Sequence, residues 1–427
     1  MHFFYNLTIY FYSAIIRFAA RFRTKAKLWK EGREGLLEKI ALTLDQEDEH
    51  VWFHCASLGE FEQGRPVMEK FRKENPKIKI VLTFYSPSGY EMRKNYPGAD
   101  YVFYMPEDTP QKARKFVEYL QPRLAVFVKY EYWFNHLIAL QEQKVPVVYI
   151  SAIFRPGQLF FKWWGGWFRK HLKNVTYFFV QDNASQSLLY SFGIRNVVVS
   201  GDTRFDRVFE IRNKPSTYKK VEKFIQGDLI FMAGSTWPKD EKMLATLVAK
   251  NYQGIKYVIV PHEIEPGHIH NLMQLMGDGV VKYSEYDEEK FMNAKVLIID
   301  EMGMLSSLYQ YASVAYIGGG FGAGIHNILE AATYGMPVVF GPRYQKFAEA
   351  RELVEHGGAF PVSTESELVH ITWSLLSNYK NLNASSRITK EYVDMKKGAT
   401  QTILVFLNAM VNPGSYRPQA PDLINMN

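Results

Sequence analysis

Residues 51–62 read Val51-Trp52-Phe53-His54-Cys55-Ala56-Ser57-Leu58-Gly59-Glu60-Phe61-Glu62. An apolar run meets small residues, and a charged amphipathic stretch follows. The run 51–54 lacks the in-out alternation of a half-solvated strand, which fits a strand covered on both faces, as in a parallel sheet. The same grammar recurs. Apolar runs at 78–84, 101–104, 124–128, 145–151, 176–180 and 197–200 are separated by helix-like stretches such as 64–74 and 111–120. This spacing predicts a doubly wound α/β domain. The helix after the first strand is expected to open near Gly64.

A polar stretch, 206–228, carries Pro215 and the Lys219-Lys220 pair and reads as a linker. Beyond it the alternation restarts at 229–233, 257–261, 296–299, 314–317 and 337–340. The expected organisation is therefore a basic, apolar helix over 1–30, a first Rossmann-like domain over 31–205, the linker 206–228, and a second Rossmann-like domain over 229–427. Two such domains facing each other make a cleft, and ligands of such sheets bind at the carboxyl ends of strands.

With 427 residues, 47% hydrophobic and 22% charged, the chain has the profile of a globular protein of more than one domain. Its single cysteine, Cys55, excludes an intrachain disulfide. The net charge of +7 is uneven. Residues 1–30 hold Arg17, Arg21, Arg23, Lys25, Lys27 and Lys30 and no acid; residues 143–181 also lack acids. Such patches suit anionic lipid or phosphorylated glycolipid. No zinc spacing, phosphate-loop motif or RNA-binding signature occurs, so no nucleic-acid partner is expected.

Residues 3–16 are almost wholly apolar or aromatic. About 14 residues make a helix of roughly 21 Å, short of the roughly 30 Å hydrocarbon core of a bilayer. A helix lying in the interface of an anionic inner membrane, on the cytoplasmic face, is the expectation. A secretory signal would carry its charges before the apolar run, not after it. The competing reading is a helix docked on the core. Residues 155–171 interleave Trp163, Trp164 and Trp167 with Lys162 and other cations, which suits either a membrane interface or a packed loop.

Four constellations follow strands. Glu60, preceded by Gly59, is either a proton acceptor at the cleft mouth or a carboxylate favoured by a helix N-terminus. Glu131, in Lys129-Tyr130-Glu131-Tyr132-Trp133, is a second carboxylate able to orient substrate or tune Glu60, or part of a surface turn. Arg204, within Gly201-Asp202-Thr203-Arg204-Phe205-Asp206, offers charge for a phosphate. The fourth is Gly318-Gly319-Gly320-Phe321-Gly322-Ala323-Gly324-Ile325-His326-Asn327-Ile328-Leu329-Glu330. A glycine-rich loop meeting a helix around Asn327 is an anion site, and Asn327 and Glu330 share a helix face. A dinucleotide site would want an acidic residue about twenty positions on, where Arg343 and Lys346 stand instead. Ser235 and Thr236, Pro261 and His262, and Gly303, Met304 and Leu305 complete the outline of a nucleotide pocket. No Asp-x-Asp motif is present, and no metal or cofactor is expected.

The ordered pieces Ala56-Ser57-Leu58-Gly59-Glu60, Glu131-Tyr132-Trp133, 201–206, Gly234-Ser235-Thr236 and His326-Asn327-x-x-Glu330 resemble the motifs of bacterial 3-deoxy-D-manno-octulosonic acid (Kdo) transferases of the lipopolysaccharide inner core. The resemblance implies a GT-B enzyme that uses CMP-Kdo as donor and lipid IV(A) as acceptor. It implies Glu60 as catalytic base and Glu131 and Arg204 as transition-state stabilisers. It further implies that Pro261, His262, residues 303–305, and Asn327, Ile328, Leu329 and Glu330 hold CMP. Two departures stand out. The family often has Pro-Arg-His where this chain has Pro261-His262-Glu263, and commonly a lysine at the position of Arg204. Rival readings are another GT-B transferase, a sugar-nucleotide epimerase, or a non-catalytic glycolipid-binding protein at the membrane.

Overall fold

Strands that lose solvent on both faces must be apolar on both faces, and two sheets are built of such strands. The computed structural model describes residues 1–412 and divides into two units, Met1–Asp206 with the segment from Lys397 onward, and Arg207–Lys396. In the first unit the strands are β1 (His50–Cys55), β2 (Lys79–Phe84), β3 (Tyr101–Tyr104), β4 (Pro122–Val128), β5 (Val147–Ala152), β6 (Tyr177–Val180) and β7 (Val197–Val199). They pair in the order β3-β2-β1-β4-β5-β6-β7, all parallel. In the second unit, β8 (Leu229–Thr236), β9 (Ile255–Pro261), β10 (Val280–Lys282), β11 (Val296–Ile298), β12 (Val314–Ile317), β13 (Val338–Phe340) and β14 (Ala359–Pro361) pair as β10-β11-β9-β8-β12-β13-β14. Each sheet reverses its winding once, between β1 and β4 and between β8 and β12. Crevices open at such switch points, beyond the carboxyl ends of the strands.

Alternation within the strands of the first unit supplies two cores. Trp52, Phe127, Tyr149 and Phe178 point to one face, their rings 5.0–5.4 Å apart from strand to strand. Phe53, Val126, Val148, Ile150 and Phe179 point to the other. That second face is covered by the helix Leu58–Glu74 and by Ala399–Val411, which contributes Ile403, Leu404, Leu407 and Val411.

Three local findings differ from the sequence reading. The helix expected from Gly64 begins at Leu58, with Ser57 as N-cap, so Glu60 lies in its first turn. Gly64 is a close-packing position inside it: a Cβ there would stand 3.0 Å from Val128 and 3.2 Å from Cys55. Pro66 is also internal. Gly64 and Pro66 together blur the helical pattern. The three-residue strands β10 and β14 have too little buried apolar surface to announce themselves in sequence. Finally, the last helix, expected to close the second domain, returns to the first unit.

Asp206 fixes that return. Its Oδ1 accepts the Gly398 N–H at 2.6 Å, and its Oδ2 accepts the Thr400 N–H at 2.7 Å and the Thr400 hydroxyl at 2.8 Å. A carboxylate at a helix N-terminus satisfies orphan donors and meets the positive end of the dipole. Asp206→Ala is expected to destabilise the first unit by about 1–3 kcal/mol. Urea unfolding followed by tryptophan fluorescence measures this, since six of the eight tryptophans belong to that unit. An unchanged first-unit transition would mean that the cap is incidental.

Candidate active site

The switch point of the first sheet is flanked by two carboxylates. β1 runs into the Ser57 cap and thence to Glu60; β4 runs into Lys129-Tyr130-Glu131. Glu60 is only 7% exposed. It accepts the Ser57 hydroxyl at 2.9 Å. Burial raises its pKa, against the lowering influence of Ser57, Lys129 and the backbone N–H groups of Ser57 and Ala56. The two sequence readings of Glu60 thus merge: it sits in the first turn of a helix and is withdrawn from water.

Glu131 is more strongly perturbed. Burial, then the nearby charge of Glu60, push its carboxyl up to about 8. Its Oε2 accepts the Trp133 indole N–H at 2.9 Å, and His54 Nε2 lies 4.0 Å from the same oxygen. Tyr149 donates to the Glu131 carbonyl at 2.8 Å, fixing the turn. Lys129, at the start of the turn, holds a left-handed φ of 71°, and Ser151 in β5 one of 48°. Non-glycine residues at such angles cost about 1–3 kcal/mol and collect at functional sites.

Arg204 lies in the helix Thr203–Asn213 and is paired with Asp202, Nε and one terminal nitrogen lying 2.9 and 2.8 Å from Oδ2. Burial alone would raise Asp202, but Arg204 and Gln63 outweigh it and hold the carboxyl below its ordinary value. Gln63, on the helix that carries Glu60, donates to Asp202 at 3.2 Å. Arg204 is thereby tied to the framework of Glu60 through two intermediaries, and part of its charge is already balanced.

In the second unit the expected nucleotide residues stand at the carboxyl ends of β8, β9, β11 and β12. Ser235 holds a φ of 53°. Gly318 passes so close behind it that a Cβ would lie 2.1 Å from the Ser235 carbonyl oxygen. Asp240 accepts from the Trp237 and Gly319 N–H groups, both at 2.9 Å, and from the Tyr316 hydroxyl at 2.8 Å, bracing the glycine-rich loop against the β8 turn. Arg343 donates to the Gly322 carbonyl at 2.6 Å.

Several details revise individual expectations. The Thr236 hydroxyl is buried and donates to Glu241 at 3.0 Å, so it is not presented for a phosphate. The helix expected around Asn327 starts at Leu329 and is a single turn, Leu329–Ala332. Its dipole is correspondingly small, and the anion-binding capacity rests on loop amides. Asn327, two residues before it, accepts the Leu329 N–H at 3.2 Å while donating to Glu330 at 3.0 Å. Ile328 and Leu329 are buried, as is Met304, so they offer backbone rather than side chains. Gly303 adopts a left-handed φ of 84°. His262 stacks between Trp237 and His326, with centroids 4.6 and 4.5 Å away, and Trp237 donates to His326 Nε2 at 3.0 Å. Burial and His262 lower the pKa of His326. Sequence reasoning gives no role to Trp237, whose only signal is an aromatic directly after a strand-end threonine, and none to His326, which it holds only as part of the His326-Asn327-x-x-Glu330 motif.

The helix His2–Ala19 presents two different sides. One side docks: His2 stacks on Trp167 at 5.3 Å, and Tyr5 packs against Phe134 and bonds Asp108 through its hydroxyl. The other leaves Phe3, Phe4, Leu7, Phe11, Ile15 and Phe18 exposed. Arg17 pairs with Glu107 at 2.8 Å. Arg21 lines a recess of about 460 Å³ with Lys27 and Lys30. Trp163 is 91% exposed beside Lys162 and Trp164, whereas Trp167 is spent on holding the helix.

Residues 19–207 match the family model described as 3-deoxy-D-manno-octulosonic-acid transferase (kdotransferase). The 3-deoxy-D-manno-octulosonic acid transferase of Aquifex aeolicus is 27% identical over 344 residues, spanning 79% of this chain and 89% of that protein. That of Chlamydophila psittaci is 26% identical over 340 residues, 77% of each chain. Among solved structures, the UDP-GlcNAc 2-epimerase of Neisseria meningitidis shares the two-domain fold, with a TM-score of 0.58 at 19% identity over 84% of this chain and 99% of that one.

A carboxyl raised to about 8 stabilises the fold while protonated. That contribution is complete below the ordinary glutamate value and is lost as pH rises towards 8. Glu131→Gln is therefore expected to flatten the decline in unfolding free energy between about pH 5 and pH 8, by on the order of a few kcal/mol. Denaturant titrations of both proteins at the two pH values test this; parallel curves would show that Glu131 titrates normally.

Proposed function

We propose, from the premise that this glycosyltransferase belongs to the Kdo transferase family and has the GT-B architecture, that it transfers Kdo from CMP-Kdo to lipid IV(A) in lipopolysaccharide core synthesis. The observation that carries the reading is the pair of carboxylates at the switch point of the first sheet, Glu60 buried and Glu131 half-buried with its carboxyl pushed up to about 8. In this reading an acceptor sugar hydroxyl approaches Glu60, which takes its proton as the oxygen attacks the anomeric carbon of Kdo. The bond from that carbon to the CMP phosphate breaks in the same step, with inversion. A base made stronger by burial suits an alcohol at neutral pH. Glu131 orients the reacting groups, and Arg204 adds positive charge near the departing phosphate. Ser235, the turn at Pro261 and His262, the backbone of residues 303–305, and Asn327 and Glu330 hold CMP. No cofactor is invoked beyond the donor.

The proposed location is the cytoplasmic face of the inner membrane. Among the described residues no helix is long and apolar enough to cross a bilayer. The exposed stripe Phe4, Leu7, Phe11, Phe18, followed by Arg21, Lys27 and Lys30, suits a helix lying in the interface. The Trp163 loop suits a second contact.

The decisive experiment is incubation with CMP-Kdo and lipid IV(A), with mass spectrometry of the lipid. A mass increase of one or more Kdo units is expected; turnover of a UDP-sugar instead would favour an epimerase or another transferase. Glu60→Gln should retain CMP affinity and lose about 10²–10⁴-fold in turnover. Near-normal turnover would remove Glu60 from the chemistry. Phe11→Glu with Phe18→Glu, changed on the exposed side only, should release the protein from vesicles of anionic phospholipid while leaving the docked side and CMP binding intact. Full co-sedimentation of that variant would assign the helix a purely structural role.

A further inference from the structure

Three rings meet at the carboxyl ends of β8, β9 and β12. Trp237 follows the last residue of β8, His262 follows β9, and His326 lies at the end of the glycine-rich loop after β12. Trp237 and His326 are nearly coplanar, at 9° with centroids 6.4 Å apart, and the indole N–H donates edge to edge to His326 Nε2 at 3.0 Å. His262 is laid over the seam, 4.6 Å from one centroid and 4.5 Å from the other. The glycine-rich loop passes close by: a Cβ on Gly319 would stand 3.0 Å from His326 Cδ2 and 3.3 Å from Nε2. The His326 ring is therefore held at one edge by a hydrogen bond and crowded by its neighbours.

An indole nitrogen can only donate, so His326 Nε2 is an acceptor. Burial, then His262, lower the pKa of His326, and its ring is neutral at physiological pH with a single hydrogen to place. That hydrogen is then on Nδ1. Nδ1 has no partner among the described residues and is not sealed from solvent. Asp240, whose charge reaches the ring, spends its oxygens on the Trp237 and Gly319 N–H groups and the Tyr316 hydroxyl. On β8, which pairs with β12, the Ser235 hydroxyl is also without a partner among the described residues. Two unused donors at adjoining strand ends of a switch point suit an oxygen that only accepts, and an ionised one most, since hydrogen bonds to charged acceptors are the stronger kind.

We propose that His326, held as its Nδ1–H tautomer, donates to an oxygen of the nucleotide phosphate, and that Trp237 is the positioning residue that sets this tautomer. The inference rests on the reading of the second unit as the CMP site. Trp237 acts through His326 and touches no phosphate itself. Without the indole bond either ring nitrogen can hold the hydrogen, and the fraction of molecules ready to donate from Nδ1 falls. A phenyl ring in place of the indole keeps the stacking on His262 and loses the lock, so the two contributions of Trp237 are separable.

The test uses the intact chain, with CMP as the probe. Long-range proton–nitrogen NMR spectra of the isotope-labelled protein tell which ring nitrogen of each histidine carries hydrogen, and the His326 signals are those lost in His326→Asn. In the parent without ligand the hydrogen should sit on Nδ1, and saturation with CMP should move the Nδ1–H resonance downfield. A hydrogen on Nε2 overturns the proposal, and so does an Nδ1–H resonance that stays put while CMP binds. In Trp237→Phe the hydrogen should shift towards Nε2 and CMP affinity should fall several-fold; an unchanged tautomer overturns the role of Trp237. By calorimetry, His326→Phe should weaken CMP binding by about 10–100-fold, the range for one hydrogen bond to a charged group. His326→Asn, whose amide N–H can stand where Nδ1–H stood, should recover most of that loss; equal losses in the two variants would make the ring merely structural and overturn the proposal. The parent spectra and the His326 pair leave Trp237 intact, so they decide the phosphate contact even where thermal melting shows Trp237→Phe unfolded. Binding of UMP in place of CMP, with the same dependence on His326, would overturn the donor assignment and leave this inference standing. A chain that binds neither nucleotide overturns both.

Discussion

A parallel strand covered on both faces tolerates polar side chains only where it ends, and the chemistry of this protein is distributed accordingly. β1 and β5 are buried along their whole length. Polar and charged groups therefore gather in the few residues beyond each strand, and the reversal of winding gives two of those strand ends a crevice. Glu60 and Glu131 occupy that position in the first sheet; Ser235 and the glycine-rich loop occupy it in the second. Residues as far apart in the chain as Glu60 and Glu131 share a site because β1 and β4 are neighbours. The same constraint shapes their acidity, since carboxylates at the edge of an apolar sheet are poorly hydrated and those adjacent to one another resist ionising together.

Twelve of the fourteen strands among the described residues were legible as continuous apolar runs, because a strand buried on both faces is apolar on both. What escaped was of two kinds. Short strands such as Val280–Lys282 carry a weak pattern and are completed by their neighbours. Residues with two possible meanings were also misjudged: Gly64 looked like a helix start and is a packing contact, and Thr236 looked like a phosphate ligand and is bonded to Glu241. The sites were legible as positions following strands. The hydrogen-bond partners that decide which side chain faces outward were not, because Asp240, Gln63 and Thr83 reach their partners across strands and loops that sequence spacing does not relate.

The amino-terminal helix has a docked side and an exposed side. Asp108, fully buried, accepts the backbone N–H groups of Asn135 and His136, the His136 ring and the Tyr5 hydroxyl. It caps the helix that follows the Glu131 turn and anchors the first helix with the same two oxygens. The docked side is polar and aromatic, built for specific partners, whereas the opposite side is a plain apolar stripe with no partner chemistry.

The return of Ala399–Val411 to the first sheet imposes an order of events during synthesis. Domains usually fold as they leave the ribosome, amino-terminal first. Here the first unit is missing the helix that covers one face of its sheet until translation has passed through the whole of the second unit. At 5–20 residues per second, residues 207–396 take roughly 10–40 s to make. For that interval the surface awaiting Ile403, Leu404 and Leu407 is open, while the second unit already has every residue it needs. The earlier part of the chain is thus the later to be finished, and its nascent form is the species a chaperone would meet.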